Sequence, residues 1–180
     1  MNITITQDLI FTSVISYLKE LTGYDQEHIR RAFQDNIGVP EDYPYVYVTL
    51  LNPKRNATNE HKYDSQSEGM IVKTSMLLDV QLDFYGQDSI DQANIVCQLF
   101  RDEFSVNFFQ DSGLVPLDSD DVIGNVGSED ENSNWKIRNI LTLHFNIHPE
   151  VVAPQQFFDS INLISSQIDA KKKNDVVINI

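Results

Sequence analysis

Between residues 70 and 85 the chain alternates. Met76, Leu78, Val80, Leu82 and Phe84 fall on one side, and Ser75, Asp79, Gln81 and Asp83 on the other, interrupted only by Leu77. A period of two predicts one long strand with a buried and a wet face. Gly86 ends the pattern and the period then changes. Ala93, Val96, Cys97, Phe100 and Phe104 recur at helical spacing, which predicts one amphipathic helix over 88–109 lying across the apolar sheet face. Asp88 or Ser89 caps it, with Gln92 three residues after Ser89 as in a capping box. Residues 70–109 are therefore read as the scaffold of the domain.

The same reading extends along the rest of the chain. Leu9, Val14, Tyr17, Leu18 and Leu21 predict a helix over 7–21, capped by Thr6 or Asp8 and stopping before Gly23. A second short helix is predicted over 26–33, where Ile29 and Phe33 share a face and Arg30 and Arg31 point outward. The β-branched and aromatic run 43–51 predicts a strand that starts at Pro44, because proline cannot donate to a ladder. Residues 52–69 read as a long polar connection, making the flanking strands an antiparallel hairpin with an extended tip. A short strand over 114–117 precedes an acidic loop. Trp135, Ile137, Leu141, Leu143, Phe145 and Ile147 then alternate with polar residues until Pro149. For 155–180 two readings stand: strands at 159–164 and 176–180 turned at 171–175, or a helix over 156–170. The order implies an α+β fold: an antiparallel sheet with helices packed on one face, a long β-hairpin and a C-terminal arm. The domain is placed at 1–152, and 153–180 is a C-terminal extension.

Composition narrows the class. A chain of 180 residues supports one domain with a real core. No apolar run approaches the roughly 20 residues that cross a bilayer. The first residues lack the basic n-region of a secretory signal, so none is expected, and the sequon Asn56-Ala57-Thr58 carries no weight. One cysteine, Cys97, excludes an internal disulfide and fits a reducing compartment. The net charge of −14, from 27 acidic and 13 basic side chains, disfavours wrapping by DNA or binding to membranes, both anionic. It reads either as a solubility device or as a wall past which nucleic acid slides without sticking.

Candidate chemistry is sparse. Asp118, Asp120 and Asp121 are hard oxygen ligands at close spacing, but an EF-hand loop needs glycine where Ile123 stands. They read as a solvated acidic loop. His144 and His148 share a strand face without a third ligand nearby in sequence, and His28 and His61 are isolated, so no metal is expected. Cys97 lies on the inner helix stripe without basic neighbours, which argues against a nucleophile. No Gly-x-Ser-x-Gly elbow, dinucleotide glycine motif or Walker lysine occurs, and no cofactor is expected. Lys54, Arg55 and Lys62 make the polar tip locally basic, as Lys171, Lys172 and Lys173 do the extension. Both read either as solvated tips or as docking points for an acidic patch on a neighbouring copy.

One resemblance adds to this. An N-terminal helix, Pro44-Tyr45-Val46, a polar loop, Val80-Gln81-Leu82-Asp83-Phe84-Tyr85-Gly86, a helix and Trp135-Lys136-Ile137-Arg138 follow in an order that resembles the tail-terminator or neck proteins of tailed bacteriophages, over residues 7–152. The resemblance implies a non-enzymatic virion protein of the tail and neck, assembled in the host cytoplasm. Such proteins form a ring, commonly of six copies, that terminates the tail tube and joins it to the head connector. Implied partners are further copies of the chain, tail-tube and sheath proteins, and head-connector or neck proteins. DNA would pass through the lumen without specific binding, and no membrane is involved. Candidate contacts are Lys54, Arg55 and Lys62, then Asp118, Asp120 and Asp121, then Lys171, Lys172 and Lys173. A head-completion or baseplate adaptor is a neighbouring reading. An acidic cytoplasmic enzyme or metal-binding protein with a site around His144 and His148 is a reading of another class.

Overall fold

The computed structural model describes residues 3–33, 44–64, 69–129, 135–154, 163–169 and 172–178. Helix α1 (Gln7–Thr22) starts where Thr6 accepts a hydrogen bond from the Leu9 N–H. It ends at Gly23, whose φ of 70° suits a residue without a Cβ. Strands β1 (Ile29–Arg31), β2 (Tyr45–Leu50), β3 (Lys54–Arg55), β4 (Glu60–Asp64), β5 (Gly69–Lys73) and β6 (Met76–Tyr85) follow. Helices α2 (Ser89–Phe100) and α3 (Glu103–Phe109) come next. Strands β7 (Leu114–Ser119), β8 (Ile123–Glu129), β9 (Trp135–Ile147), β10 (Glu150–Pro154), β11 (Leu163–Asp169) and β12 (Lys172–Ile178) complete the described chain.

The main sheet runs β1-β2-β6-β9-β7, with β3 also on β6 and β8 also on β9. Its pairings are antiparallel except that of β1 with β2. Val46, Val48, Leu78, Val80, Leu82, Phe84, Leu141, Leu143 and Phe145 line one face and bury against Val14, Tyr17 and Leu18 of α1, Val96 and Phe100 of α2 and Phe109 of α3. The aromatic rings meet edge to face around Phe145, with centroids 5.0 Å from Phe100 and 5.2 Å from Phe109. The fold is thus α+β with helices on one sheet face, as the alternation predicts.

A second sheet, β10-β5-β4, extends the first. Met76 faces Ile147 on one side of the junction and Lys73 faces Glu150 on the other. Each strand advances three residues, so one register carries through, and the Thr74 N–H donates to the Pro149 carbonyl between them at 3.1 Å. Pro149 has no N–H to return, which interrupts the ladder there. The predicted strand over 70–85 is therefore two strands in two sheets, and the strand ended by Pro149 resumes as β10.

Other expectations need correction. The helix over 26–33 is absent. The Asp25 carboxylate accepts the Glu27 and His28 backbone N–H groups, a local turn that competes with a helix, and Ile29 then enters the sheet beside Val46. Phe33, expected on a helical face, is 95% exposed with φ 57°. The helix over 88–109 is two helices, because Asp102 accepts the Phe104 N–H and starts α3. The capping box does not form. Ser89 Oγ donates to the Gly86 carbonyl, and Gln92 Oε1 is buried with no partner among the described residues. The polar connection 52–69 contains β3 and β4, and the acidic stretch after β7 contains β8. The helix over 156–170 gives way to β11, paired with β12 from Leu163 opposite Ile178 to Asp169 opposite Lys172. The two strands of that reading therefore run at other bounds, and residues 172–175, read as part of the turn, lie in β12. Residues 155–162, 170–171 and 179–180 lie outside the described residues.

Candidate assembly surfaces

Two outer edges of the sheets carry the candidate residues. On the side of β5 and β6 that faces away from β9, Lys54 and Arg55 lie opposite Leu77 and Met76, and Lys62 lies opposite Ile71. All three are exposed and none is ion-paired to a described residue. Lys62 shares a shallow cleft of about 200 Å³ with Glu60, Ile71, Lys73 and Glu150.

Beyond β9, on the opposite side of the sheet, run β7 and β8. Register shifts between Pro116 and Asp118 and between Ile123 and Val126 leave this edge irregular. Asp118 lies at the end of β7 and Asp120 and Asp121 follow between the two strands, and the predicted acidic loop is more ordered than its composition suggests. Arg101, one residue past α2, places Nε 3.0 Å from Asp118 Oδ1 and Nη2 3.3 Å from Asp121 Oδ1, while Nη2 also donates to the Ser119 carbonyl. His144 lies 2.7 Å from Asp79 Oδ1 through Nδ1 and 3.3 Å from Asp120 Oδ1 through Nε2. Burial lowers the His144 pKa, but the hydrogen bonds and charges of the two carboxylates outweigh it and the net shift is upward. The loop is thus held by Arg101 and His144, which sequence spacing did not connect to it.

The remaining candidates resolve differently. Lys172 and Lys173 lie in β12, and Lys171 is outside the described residues. His148 lies 3.4 Å from the Asn146 amide through Nε2, and His28 pairs with Asp25 at 2.7 Å. Among the described residues no three His, Cys, Asp or Glu side chains group to hold a metal ion. Cys97 is buried, with Sγ 3.4 Å from Ser119 Oγ. No described helix is long and apolar enough to cross a membrane.

One feature escaped the sequence reading. On the sheet face away from the helices, Phe33, Tyr47, Gln81, Asp83, Tyr85 and Arg138 help to line an open cavity of about 480 Å³. Its floor is polar but satisfied, since Arg138 and Gln81 both donate to Asp83. The alternating Asp79, Gln81 and Asp83 signalled a wet face, but nothing in sequence paired it with Arg138.

No protein of established annotation matches the chain. Residues 4–171, nearly its whole length, match the sequence model of a family described as phage neck terminator protein. The match takes in the two larger sheets, the three described helices and the two edges just described. The chain belongs to the phage neck terminator protein family, and its role is a structural one in the phage tail and neck.

Proposed function

We propose that the chain assembles with copies of itself into a ring, of six subunits, that terminates the tail tube and joins it to the head connector. The observation that carries this reading is the family match over residues 4–171. Two further features support it. A closed ring needs two different, complementary patches on each subunit, and the two sheet edges differ in charge. A net charge of −14 would also repel DNA phosphates and keep a central passage non-adhesive.

In this reading the contacts fall on Lys54, Arg55 and Lys62 at one edge and on Asp118, Asp120 and Asp121 at the other. Residues 1–152 build the subunit. Residues 153–180, with Lys171, Lys172 and Lys173, reach a neighbouring neck or tail protein. Within that extension β11 and β12 pair only with each other among the described strands, which suits an arm. The protein acts by binding rather than by catalysis, and it resides in the virion neck after assembly in the host cytoplasm.

Sedimentation of the purified chain with negative-stain imaging tests the ring, and antibody labelling of virions tests its place. Closed rings of six, and label at the head–tail junction, are the expected results. A monomer at assembly concentrations together with unlabelled necks overturns the proposal.

A further inference from the structure

We infer that copies of this chain join edge to edge, the β3–β4 edge of one subunit seating against the β7–β8 edge of the next. The inference rests on the self-assembly proposed above and specifies its contact.

Topology supplies the first argument. β3 and β4 lie on one side of the β5–β6 strand, β9 and β10 lie on the other, and β7 and β8 lie beyond β9. The two edges therefore bound the sheets on opposite sides. A contact between them is head-to-tail by construction and leaves each new subunit with one edge of each kind.

Chemistry supplies the second. Lys54, Arg55 and Lys62 are exposed cations on long apolar stems. On the facing edge Val115, Leu117 and Ile123 are 46%, 50% and 58% exposed, an apolar outer strand of the kind soluble monomers usually guard with charge. Asp118 and Asp121 stand among them, their side chains 70% and 96% exposed. Lysine and arginine stems would cover the three apolar residues while their charged heads reach the carboxylates.

Geometry supplies the third. Arg101 and His144 already orient the aspartates, so little ordering is left for association. The register shifts in β7 and β8 break up a straight run of free backbone groups, and charged Glu60 and Lys62 guard β4. Both devices favour side-chain docking over indiscriminate strand pairing.

The test uses two charge-reversed forms of the full chain. Arg55→Glu with Lys62→Glu makes both edges acidic, and Asp118→Lys with Asp121→Lys makes both edges basic. Each form alone should sediment as a monomer and keep the wild-type circular dichroism spectrum, the aspartate-substituted form melting somewhat lower because it gives up the Arg101 pairs. Mixed in equal amounts, the two should recover the ring mass as alternating subunits, and added salt should dissociate the mixture. A wild-type ring that both forms reproduce alone overturns the edge contact and leaves the ring standing. Folded single forms that stay monomeric after mixing also overturn it. A wild-type chain that remains monomeric throughout overturns the edge contact and the ring together.

Discussion

Arg138 of β9 reaches diagonally to Asp83 of β6, donating to one carboxylate oxygen from Nη2 at 2.8 Å and from Nε at 3.1 Å. Asp83 is only 6% exposed, and Gln81 Nε2 adds a third donor at 3.0 Å. A charge this buried is tolerated because its acceptor sites are filled. Arg138→Met should cost roughly 2–4 kcal/mol by stranding the carboxylate, whereas Arg138→Met with Asp83→Leu should recover most of that. Urea unfolding of the two variants measures the difference. Equal losses would show that the pair is not coupled.

Tyr17 carries the second prediction. Its hydroxyl donates to Ser105 Oγ at 2.7 Å, and Ser105 Oγ in turn donates to the Leu99 carbonyl in the last turn of α2, which also accepts the Asp102 N–H. Burial pushes the phenol pKa up to about 12. In a spectrophotometric titration, the difference between wild type and Tyr17→Phe should show one tyrosine ionising near pH 12. The same variant should lose about 1 kcal/mol of stability.

His144 makes part of the stability depend on pH. Its folded pKa is raised, so the contribution is fully present below the unfolded value and fades as pH rises through the folded one. From pH 6 upward the urea midpoint of the wild type should therefore fall more steeply than that of His144→Gln. An NMR titration of the ring, with and without Asp79→Asn, should show the folded pKa dropping when the carboxylate is removed.

Buried Asn139 donates from Nδ2 to Ser89 Oγ at 2.6 Å, tying β9 to the first residue of α2. Ser89 is only 1% exposed, so Asn139→Ala leaves a hydroxyl acceptor without its donor. A loss of roughly 1–3 kcal/mol is expected. Hydrogen exchange should also quicken at the start of α2 before it does so elsewhere.

The parts of the fold that were legible in sequence are those whose pattern reports burial directly. Val80, Leu82 and Phe84 alternate because one face of β6 meets helices, and Val14, Tyr17 and Leu18 recur because one stripe of α1 meets the sheet. Ile29 and Phe33 misled because two apolar residues fit either period, and the Asp25 turn decided the matter locally. The division between α2 and α3 rests on a single cap at Asp102. Strand β4 is exposed along nearly its whole length and owes its conformation to backbone pairing with β5, which leaves no apolar trace. The candidate acids were visible as a run, but Arg101 and His144 come from elements distant in sequence, and only the folded sheet brings them together.

The unbroken register between β5–β10 and β6–β9 has a mechanical consequence. Tension applied along the β4–β5–β10 extension would run parallel to the strands and reach the main sheet as shear. Many hydrogen-bonded rungs then share the load, instead of yielding one after another as in a peeled hairpin. A subunit built this way can be pulled from its outer end without the helical core being the first part to give.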